Sequence, residues 1–245
     1  MRTVILLLIY LAINPIFAEK LLVGTDPFLP PFEIAMDDKN NFTGFDIELM
    51  MLICQRIQAD CSFKQIKFAQ LFPQIQSGKI DLAISAISIT EEREKNHLFS
   101  LPYFLSNSQF LTNAASNINT MNDIRGKRAG VEQRTVGLDL INSRFHDASV
   151  TVVEFPTTQS LLLALSDEKV DVILLASETA HYWAANNNLL KLIDMPMPDG
   201  HGYGIMTNLN NTSLINRINN ALLSIQNDGT YQHLYKHYFT YFHPG

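Results

Sequence analysis

Hydrophobic and polar positions alternate along most of the chain with the periods of strands and helices. Residues 20–25 predict a buried strand, and residues 61–66 predict a second one. Between them, apolar positions recur at helical spacing after Gly44, and Asp46 is predicted to cap that helix. An amphipathic helix and a third strand, at residues 80–84, come next. This order is typical of a parallel sheet covered by helices.

The alternation breaks at residues 101–111, a long extended run, and then restarts. The elements predicted after this run are strands at 128–131, 150–155 and 170–175, a helix after each of them, the last capped by Ser177, a strand from 202 and two C-terminal helices. The extended run therefore predicts a crossover between two α/β lobes. Lobe 1 is predicted to comprise residues 19–108 and 202–245, and lobe 2 residues 109–201.

The first 18 residues have the organisation of a secretory signal peptide. Arg2 precedes an apolar run at residues 4–13, which is too short to span a bilayer comfortably. Pro15 breaks that run, and Ala18 is a small residue suited to cleavage. We expect cleavage after Ala18 and a mature protein outside the cytoplasm.

Composition and charge narrow the possible partners. The chain has 245 residues, of which 47% are hydrophobic and 17% are charged, as in ordinary globular proteins. Its net charge is −6 and it has no long basic run, so we expect neither nucleic acid nor an anionic membrane as a partner. No motif typical of a nucleotide, zinc or nucleophile site is present, so we expect no cofactor, no metal and no catalysis.

The two cysteines, Cys54 and Cys61, allow two interpretations. An isolated pair in an exported protein usually forms one disulfide, which over so short a loop stabilises the fold by about 2–3 kcal/mol. The alternative is a pair of buried free thiols.

The candidate chemistry centres on residues 78–93, GKIDLAISAISITEER. A buried strand leads into a loop of small residues, and Thr90 is predicted to cap a helix. Arg93 lies in the first turn of that helix, where the helix dipole does not favour a positive charge. Beside the hydroxyls and amides of the loop, its guanidinium could grip a carboxylate with two parallel hydrogen bonds. The alternative is a surface residue that pairs with a nearby glutamate.

Two more candidates follow predicted strands. Asp26 begins a stiff, proline-rich loop that also presents Phe28, at the strand end where α/β proteins collect ligands. Asp26 is either a ligand contact or a turn residue before Pro27. Phe68 is predicted to lie in the loop after the second strand, as a core residue or a ligand contact.

Several motifs in order resemble the polar-amino-acid family of periplasmic solute-binding proteins, the capture components of ABC importers. They are VGTDPFLPPFE at 23–33, GFDIEL at 44–49, QSGKIDLAISAISITEER at 76–93, FSLPY at 99–103, IRGKRAGV at 124–131, VDVI at 170–173, GYGI at 202–205 and NDGTYQHLYKHYF at 227–239. Each motif is weak alone, whereas the ordered set spans essentially the whole mature chain. The spacing of the two cysteines resembles the basic-amino-acid branch, in which such a pair is disulfide-bonded.

The resemblance implies a type II periplasmic-binding-protein fold. Each lobe would be a mostly parallel sheet flanked by helices, joined by two crossover strands, and the lobes would close over a ligand by a hinge motion. Arg93 would bind the α-carboxylate of an amino acid, together with Thr135 and the amide of Val136 at a helix N-terminus. The loop that precedes Arg93 would line the same pocket with Ser85, Ala86 and Ser88.

For the ligand side chain, the resemblance implies that Asp26 binds a distal cation and that Phe68 packs on its aliphatic stem or stacks on a guanidinium. Three positions depart from the family pattern. Arg134 stands where the family has glycine, which brings a cation near the cleft. Ala176 stands where the family has an aspartate for the α-ammonium, and Glu178 could substitute for it. Leu29 stands where an aromatic is common, and Phe28 is the possible compensation.

These observations predict a monomeric periplasmic protein that captures a polar, basic amino acid, arginine first, and delivers it to the membrane permease of an ABC importer. One alternative is a binder of a keto acid or dicarboxylate, which rests on Ala176 and Arg134. Another is a periplasmic dehydratase on the same fold, with Glu178 or Asp26 as its acid.

Overall fold

The computed structural model describes residues 18–145 and 150–239. The signal peptide predicted from the first residues lies outside this part of the chain, apart from Ala18. None of the helices in the described ranges combines the length and apolar character needed to cross a membrane.

The described helices are α1 (Phe45–Arg56), α2 (Phe68–Gln76), α3 (Glu91–Glu94), α4 (Gly137–Arg144), α5 (Thr158–Ser166), α6 (Ser177–Asn186), α7 (Thr212–Asn227) and α8 (Thr230–Phe239). The described strands are β1 (Glu19–Thr25), β2 (Phe28–Leu29), β3 (Glu33–Ala35), β4 (Phe42–Thr43), β5 (Ala59–Gln65), β6 (Leu82–Ala83), β7 (His97–Phe99), β8 (Asn107–Asn113), β9 (Arg128–Glu132), β10 (Thr151–Phe155), β11 (Val172–Ala176), β12 (Leu190–Pro198) and β13 (Met206–Asn208).

Two five-stranded sheets confirm the predicted two-lobed α/β fold. The first has the order β5-β1-β6-β13-β7, and the second has the order β10-β9-β11-β8-β12. In each sheet four strands run in the same direction, and the strand that enters from a crossover, β13 or β8, is antiparallel to both of its neighbours. The carboxyl ends of the parallel strands carry the loops of the site described below.

Two crossover segments connect the sheets, one between β7 and β8 and the other between β12 and β13. They lie side by side, because the Tyr103 amide donates to the Tyr203 carbonyl (2.8 Å) and the Tyr203 amide donates to the Phe104 carbonyl (2.9 Å). The lobe boundaries predicted at 108/109 and 201/202 fall close to these segments and stay a prediction.

Aromatic rings fix the crossovers to the first lobe. Phe239 of α8 packs on Phe45 of α1 at 5.0 Å and on Phe104 at 4.8 Å between ring centroids. Phe32 and Tyr203 pack edge to face at 5.6 Å, and both are almost fully buried. Such ring pairs add to the free energy of burial, so the C-terminal helix holds the connecting segments in place.

The prediction of Asp46 as an N-cap is wrong, because the helix begins at Phe45 and Gly44 is the cap. Gly44 has a φ of 131°, and a Cβ there would lie 2.2 Å from the Phe32 carbonyl oxygen, so glycine is required. Asp46 is instead fully buried. Its carboxylate accepts hydrogen bonds from the Ala86 amide and the Tyr103 hydroxyl, each at 2.8 Å.

Two other local predictions are corrected, and one strand was missed. Phe68 is the first residue of α2 and not part of a loop, and Ala176, not Ser177, is the N-cap of α6. Strand β12 was not predicted, and it contains Pro196 and Pro198. It lies at the edge of its sheet, with a register shift between Ile193 and Met197, and an edge strand tolerates proline.

The predicted disulfide is confirmed, since Cys54 of α1 is bonded to Cys61 of β5. It closes a loop with a sequence separation of 7 and ties the helix to the edge strand of the first sheet.

We predict that the double variant Cys54→Ser, Cys61→Ser loses about 2–3 kcal/mol of unfolding free energy, because the unfolded chain regains the entropy of this loop. Urea denaturation of the variant and of the oxidised wild type measures the difference. The unfolding midpoint of wild type in the presence of a reductant should match that of the variant. Equal midpoints for oxidised and reduced wild type would contradict the prediction.

Candidate ligand-binding site

A cavity lies between the two sheets, and both lobes contribute to its wall. Its lining residues are Asp26, Leu29, Phe68, Ser85, Ala86, Ser88, Arg93, Ser108, Glu132, Thr135, Val136, Gly137, Thr158, Leu174, Leu175, Ala176, Asp199 and Tyr203. One cation and three carboxylates are therefore directed at the same small volume.

The loop between β6 and α3 forms one wall. Ala86 has a φ of 40°, an unfavourable value for a residue with a Cβ, and its amide is held by the buried Asp46 carboxylate. The Ser85 hydroxyl donates a short hydrogen bond to Glu33 and accepts one from the Asp26 amide at 3.3 Å. Hydrogen bonds to the buried acids Asp46 and Glu33 thus fix the conformation of this loop.

Arg93 connects the lobes. Its Nη1 donates to the Ser88 carbonyl at 2.7 Å, and its Nη2 donates to the Arg134 carbonyl of the second lobe at 2.8 Å. The guanidinium also lies 5.6 Å from the Phe68 ring centroid and 5.0 Å from that of Phe72. Burial lowers the pKa of Arg93 to about 10, so the group stays charged at neutral pH. The Thr90 side chain caps its helix, as predicted.

The turn after β9 faces Arg93 from the other lobe. Arg134 has a φ of 66° and an exposed side chain, which leaves its carbonyl directed at Arg93. The Thr135 hydroxyl donates to the Glu132 carbonyl at 2.7 Å and accepts from the Gly137 amide at 3.4 Å. Val136 is the N-cap of α4, and Val136 and Gly137 line the cavity, so the N-terminus of this helix lies at the cavity wall.

Asp26 supplies a carboxylate from the end of β1. One of its oxygens accepts from the Phe28 amide at 2.9 Å, and the other accepts from the Phe68 amide at 3.0 Å. Burial raises the pKa of Asp26 to about 6, although these two hydrogen bonds favour the ionised form. The side chain is only 3% exposed and is rigidly placed.

Glu132 supplies a second carboxylate from the end of β9, and sequence reasoning missed it. Its Oε2 accepts from the Thr158 hydroxyl at 2.6 Å, whereas Oε1 is buried without a partner among the described residues. Burial, and then the negative charge of Asp26, raises the pKa of Glu132 to about 8. The signal in the sequence was an acid directly after the buried strand residues Ala129 and Val131.

More buried acid lies behind the cavity wall. Glu33 and Asp46 are both fully buried. Burial and the charge of Asp46 raise the pKa of Glu33 well above its usual range, and burial raises the pKa of Asp46 to about 7. The first lobe therefore has a surplus of carboxyl groups at the cleft, and no salt bridge joins Asp26 or Glu132 to a cation among the described residues.

Eight of the residues predicted for the site line the cavity: Asp26, Phe68, Ser85, Ala86, Ser88, Arg93, Thr135 and Val136. Three others do not. Phe28 packs on Trp183 across the cleft at 5.9 Å, and Arg134 contributes its carbonyl to Arg93. Glu178 accepts from the Ser177 hydroxyl at 2.7 Å, and burial raises its pKa to about 7.

Sequence comparison places this geometry in a known family. Residues 21–241 match the bacterial extracellular solute-binding proteins, family 3. The chain belongs to that family. Its predicted relationship to the periplasmic capture components of ABC importers is thereby confirmed.

Individual relatives are similar over almost their full lengths. The ABC transporter arginine-binding protein 1 of Escherichia coli K12 is 31% identical over 226 residues, which is 91% of each chain. A structure of an arginine 3rd transport system periplasmic binding protein from Legionella pneumophila has a TM-score of 0.87 and 39% identity, covering 91% of this chain and 100% of that one. An ancestral arginine-binding protein bound to arginine has a TM-score of 0.82 and 31% identity, covering 90% and 98%.

We predict that Arg134→Gly stabilises this family member by about 0.5–1 kcal/mol. A left-handed backbone costs a residue with a Cβ about 1–2 kcal/mol, and the greater unfolded-state freedom of glycine offsets about 0.5–1 kcal/mol of the gain. Arg134→Ala is the matched control, since it removes the same side chain and keeps the Cβ. Urea denaturation that shows an equal gain for both variants would contradict the backbone explanation.

Proposed function

We propose that this protein captures a basic amino acid, arginine above others, by closing its lobes, and delivers it to the permease of an ABC importer. The observation that carries the proposal is the charge pattern of the cavity. Arg93 offers a cation for a carboxylate, and Asp26 and Glu132, one from each lobe, offer buried carboxylates without a salt-bridge partner among the described residues. A zwitterion with an additional distal cation matches that pattern.

The carboxylate of the ligand is assigned to Arg93 and to the N-terminus of α4, through the Val136 amide and Thr135. A planar guanidinium binds a carboxylate with two hydrogen bonds, and helix N-termini favour negative charge. Ser85, Ala86 and Ser88 complete that part of the wall. Arg93 is already held by two backbone carbonyls, so its position is fixed before a ligand arrives.

The side chain of the ligand is assigned to Asp26, Glu132 and Phe68. A guanidinium has five N–H donors, which suit two carboxylates on opposite walls. The Phe68 ring lines the cavity and offers a face for the aliphatic stem or the guanidinium plane. Arginine stays charged at every relevant pH, so it stabilises both carboxylates in their ionised form. The arginine-binding relatives support this choice of ligand.

The alternative ligand, a keto acid or dicarboxylate, fits this cavity poorly. A second ligand carboxylate would lie among Asp26 and Glu132, and like charges in a buried site repel strongly. The Arg134 side chain, one reason for that alternative, is exposed and does not line the cavity. The family consists of solute-binding proteins, and we propose that binding without catalysis is the function of this member too.

We further propose that the protein works as a monomer in the periplasm after cleavage behind Ala18. The apolar N-terminal run supports export. The permease of an importer is the partner that such a capture protein requires.

We predict that titration calorimetry of the mature protein gives its tightest binding with arginine, weaker binding with lysine and ornithine, and no heat with succinate. Glu132→Gln should weaken arginine binding about tenfold or more, because it removes one charged partner of the guanidinium. Asp38→Asn, which removes an exposed carboxylate outside the cavity lining, is the matched control. Tighter binding of a dicarboxylate than of arginine would overturn the proposal.

A further inference from the structure

Asp199 is an acid in the cavity wall to which the proposed ligand contacts assign no role. It follows β12, in the crossover segment that returns to the first lobe, and it lines the cavity. Its carboxylate accepts short hydrogen bonds from the Ser106 and Ser108 hydroxyls and a longer one, at 3.3 Å, from Ser88. These three serines come from the first lobe, the other crossover and β8. Segments of both lobes and both crossovers therefore meet at this carboxylate.

The backbone around Asp199 fixes its position. The Asp199 amide donates to the Ser106 carbonyl at 3.2 Å, and the His201 amide donates to the Ile89 carbonyl at 2.9 Å. A Cβ on the intervening Gly200 would lie 2.8 Å from the Ile89 carbonyl oxygen. Only glycine permits this approach, which brings the carboxylate against the loop that leads to Arg93.

Strand register places Asp199 close to Ala176. In the antiparallel pair of β11 and β8, Ala176 lies opposite Ser108, and the Ser108 hydroxyl donates to Asp199. Both Ala176 and Asp199 line the cavity. Ala176 supplies no acid to this part of the cavity, whereas Asp199, from a different segment, supplies a carboxylate.

We infer that Asp199 binds the α-ammonium group of the ligand and thereby replaces an acid at position 176. This inference rests on the proposed function, since it assumes an amino acid in the cavity. A carboxylate has about four acceptor sites, so three serine hydroxyls leave one for the ligand. Asp199 has no salt-bridge partner among the described residues, so an ammonium would supply its missing counter-charge.

Glu178, the earlier candidate for this role, is not needed for it. Its Oε1 accepts from Ser177, the group is not part of the cavity lining, and its buried position favours the protonated form. Asp199, by contrast, acts on Arg93, since its negative charge raises the pKa of that guanidinium against the effect of burial. A ligand bridging Arg93 and Asp199 would have the adjacent carboxylate and ammonium of an α-amino acid.

The test compares arginine with 5-guanidinopentanoate, which is arginine without its α-amino group. Wild type should bind arginine about 10- to 100-fold more tightly, the value of one buried charged hydrogen bond. Asp199→Asn should lose that advantage for arginine and leave the affinity for 5-guanidinopentanoate unchanged. Equal affinities of wild type for the two compounds, or an equal loss for both in the variant, would overturn the inference.

A second variant separates binding from hinge stability. Ala176→Asp in the Asp199→Asn background should restore at least part of the arginine affinity, because it returns a carboxylate to the same region from β11. A structural role of Asp199 alone predicts no rescue, and Asp38→Asn is the charge control. If Asp199→Asn fails to fold, the affinities for arginine and 5-guanidinopentanoate are compared in wild type and in Ala176→Asp instead. Equal affinities of wild type for the two compounds would still overturn the inference. Wild type that binds neither compound would refute the proposed function itself, whereas arginine binding that is insensitive to residue 199 would refute only this inference.

Discussion

Two carboxylates buried in one cavity without a cation between them are the constraint on which the rest of this structure depends. Asp26 comes from the first lobe and Glu132 from the second, and neither forms a salt bridge among the described residues. Burial favours their protonated forms, with pKa values raised to about 6 and about 8. Keeping such groups out of water lowers the stability of the fold, and the cation of the proposed ligand would offset that cost.

The sheets explain how these groups meet. Each acid lies at the carboxyl end of a parallel strand, Asp26 directly after β1 and Glu132 as the last residue of β9, and the two crossover segments bring those edges face to face. Two contacts across the cleft hold the lobes together. Arg93 donates to the Arg134 carbonyl, and the ring of Phe28 packs on that of Trp183. In the proposed function, the guanidinium of Arg93 that makes this contact would also bind the ligand carboxylate, so closure and ligand capture would use the same group.

The sequence predicted the helices, most strands of the two large sheets and part of the candidate site, for identifiable reasons. Asp26 stands directly after a strand and Arg93 in the first turn of a helix, and both local patterns can be read along the chain. Glu132 also has a local signal, at the end of a strand, but the contacts that place Glu132 and Asp199 in the candidate site come from distant segments. Asp199 accepts a hydrogen bond from Ser106, 93 positions away in the sequence, and Glu132 accepts one from Thr158, 26 positions away. Asp46 was misassigned as a cap for the same reason, since its partner Ala86 lies 40 positions away. Periodicity predicts which residues are buried, but it does not predict what a buried polar group will contact.

Proton release on arginine binding tests the central claim most directly. The guanidinium of the proposed arginine ligand stays charged throughout this pH range. Its binding therefore favours ionised Asp26 and Glu132 and lowers both pKa values. Binding must then release protons, and affinity must rise as the pH increases from about 5.5 to about 7.5, because fewer protons remain to be displaced. Calorimetry in two buffers of different ionisation enthalpy gives the number of protons. We predict a net release in wild type and a smaller one in Glu132→Gln. Arginine binding with the same affinity across this range and no proton release would contradict the account.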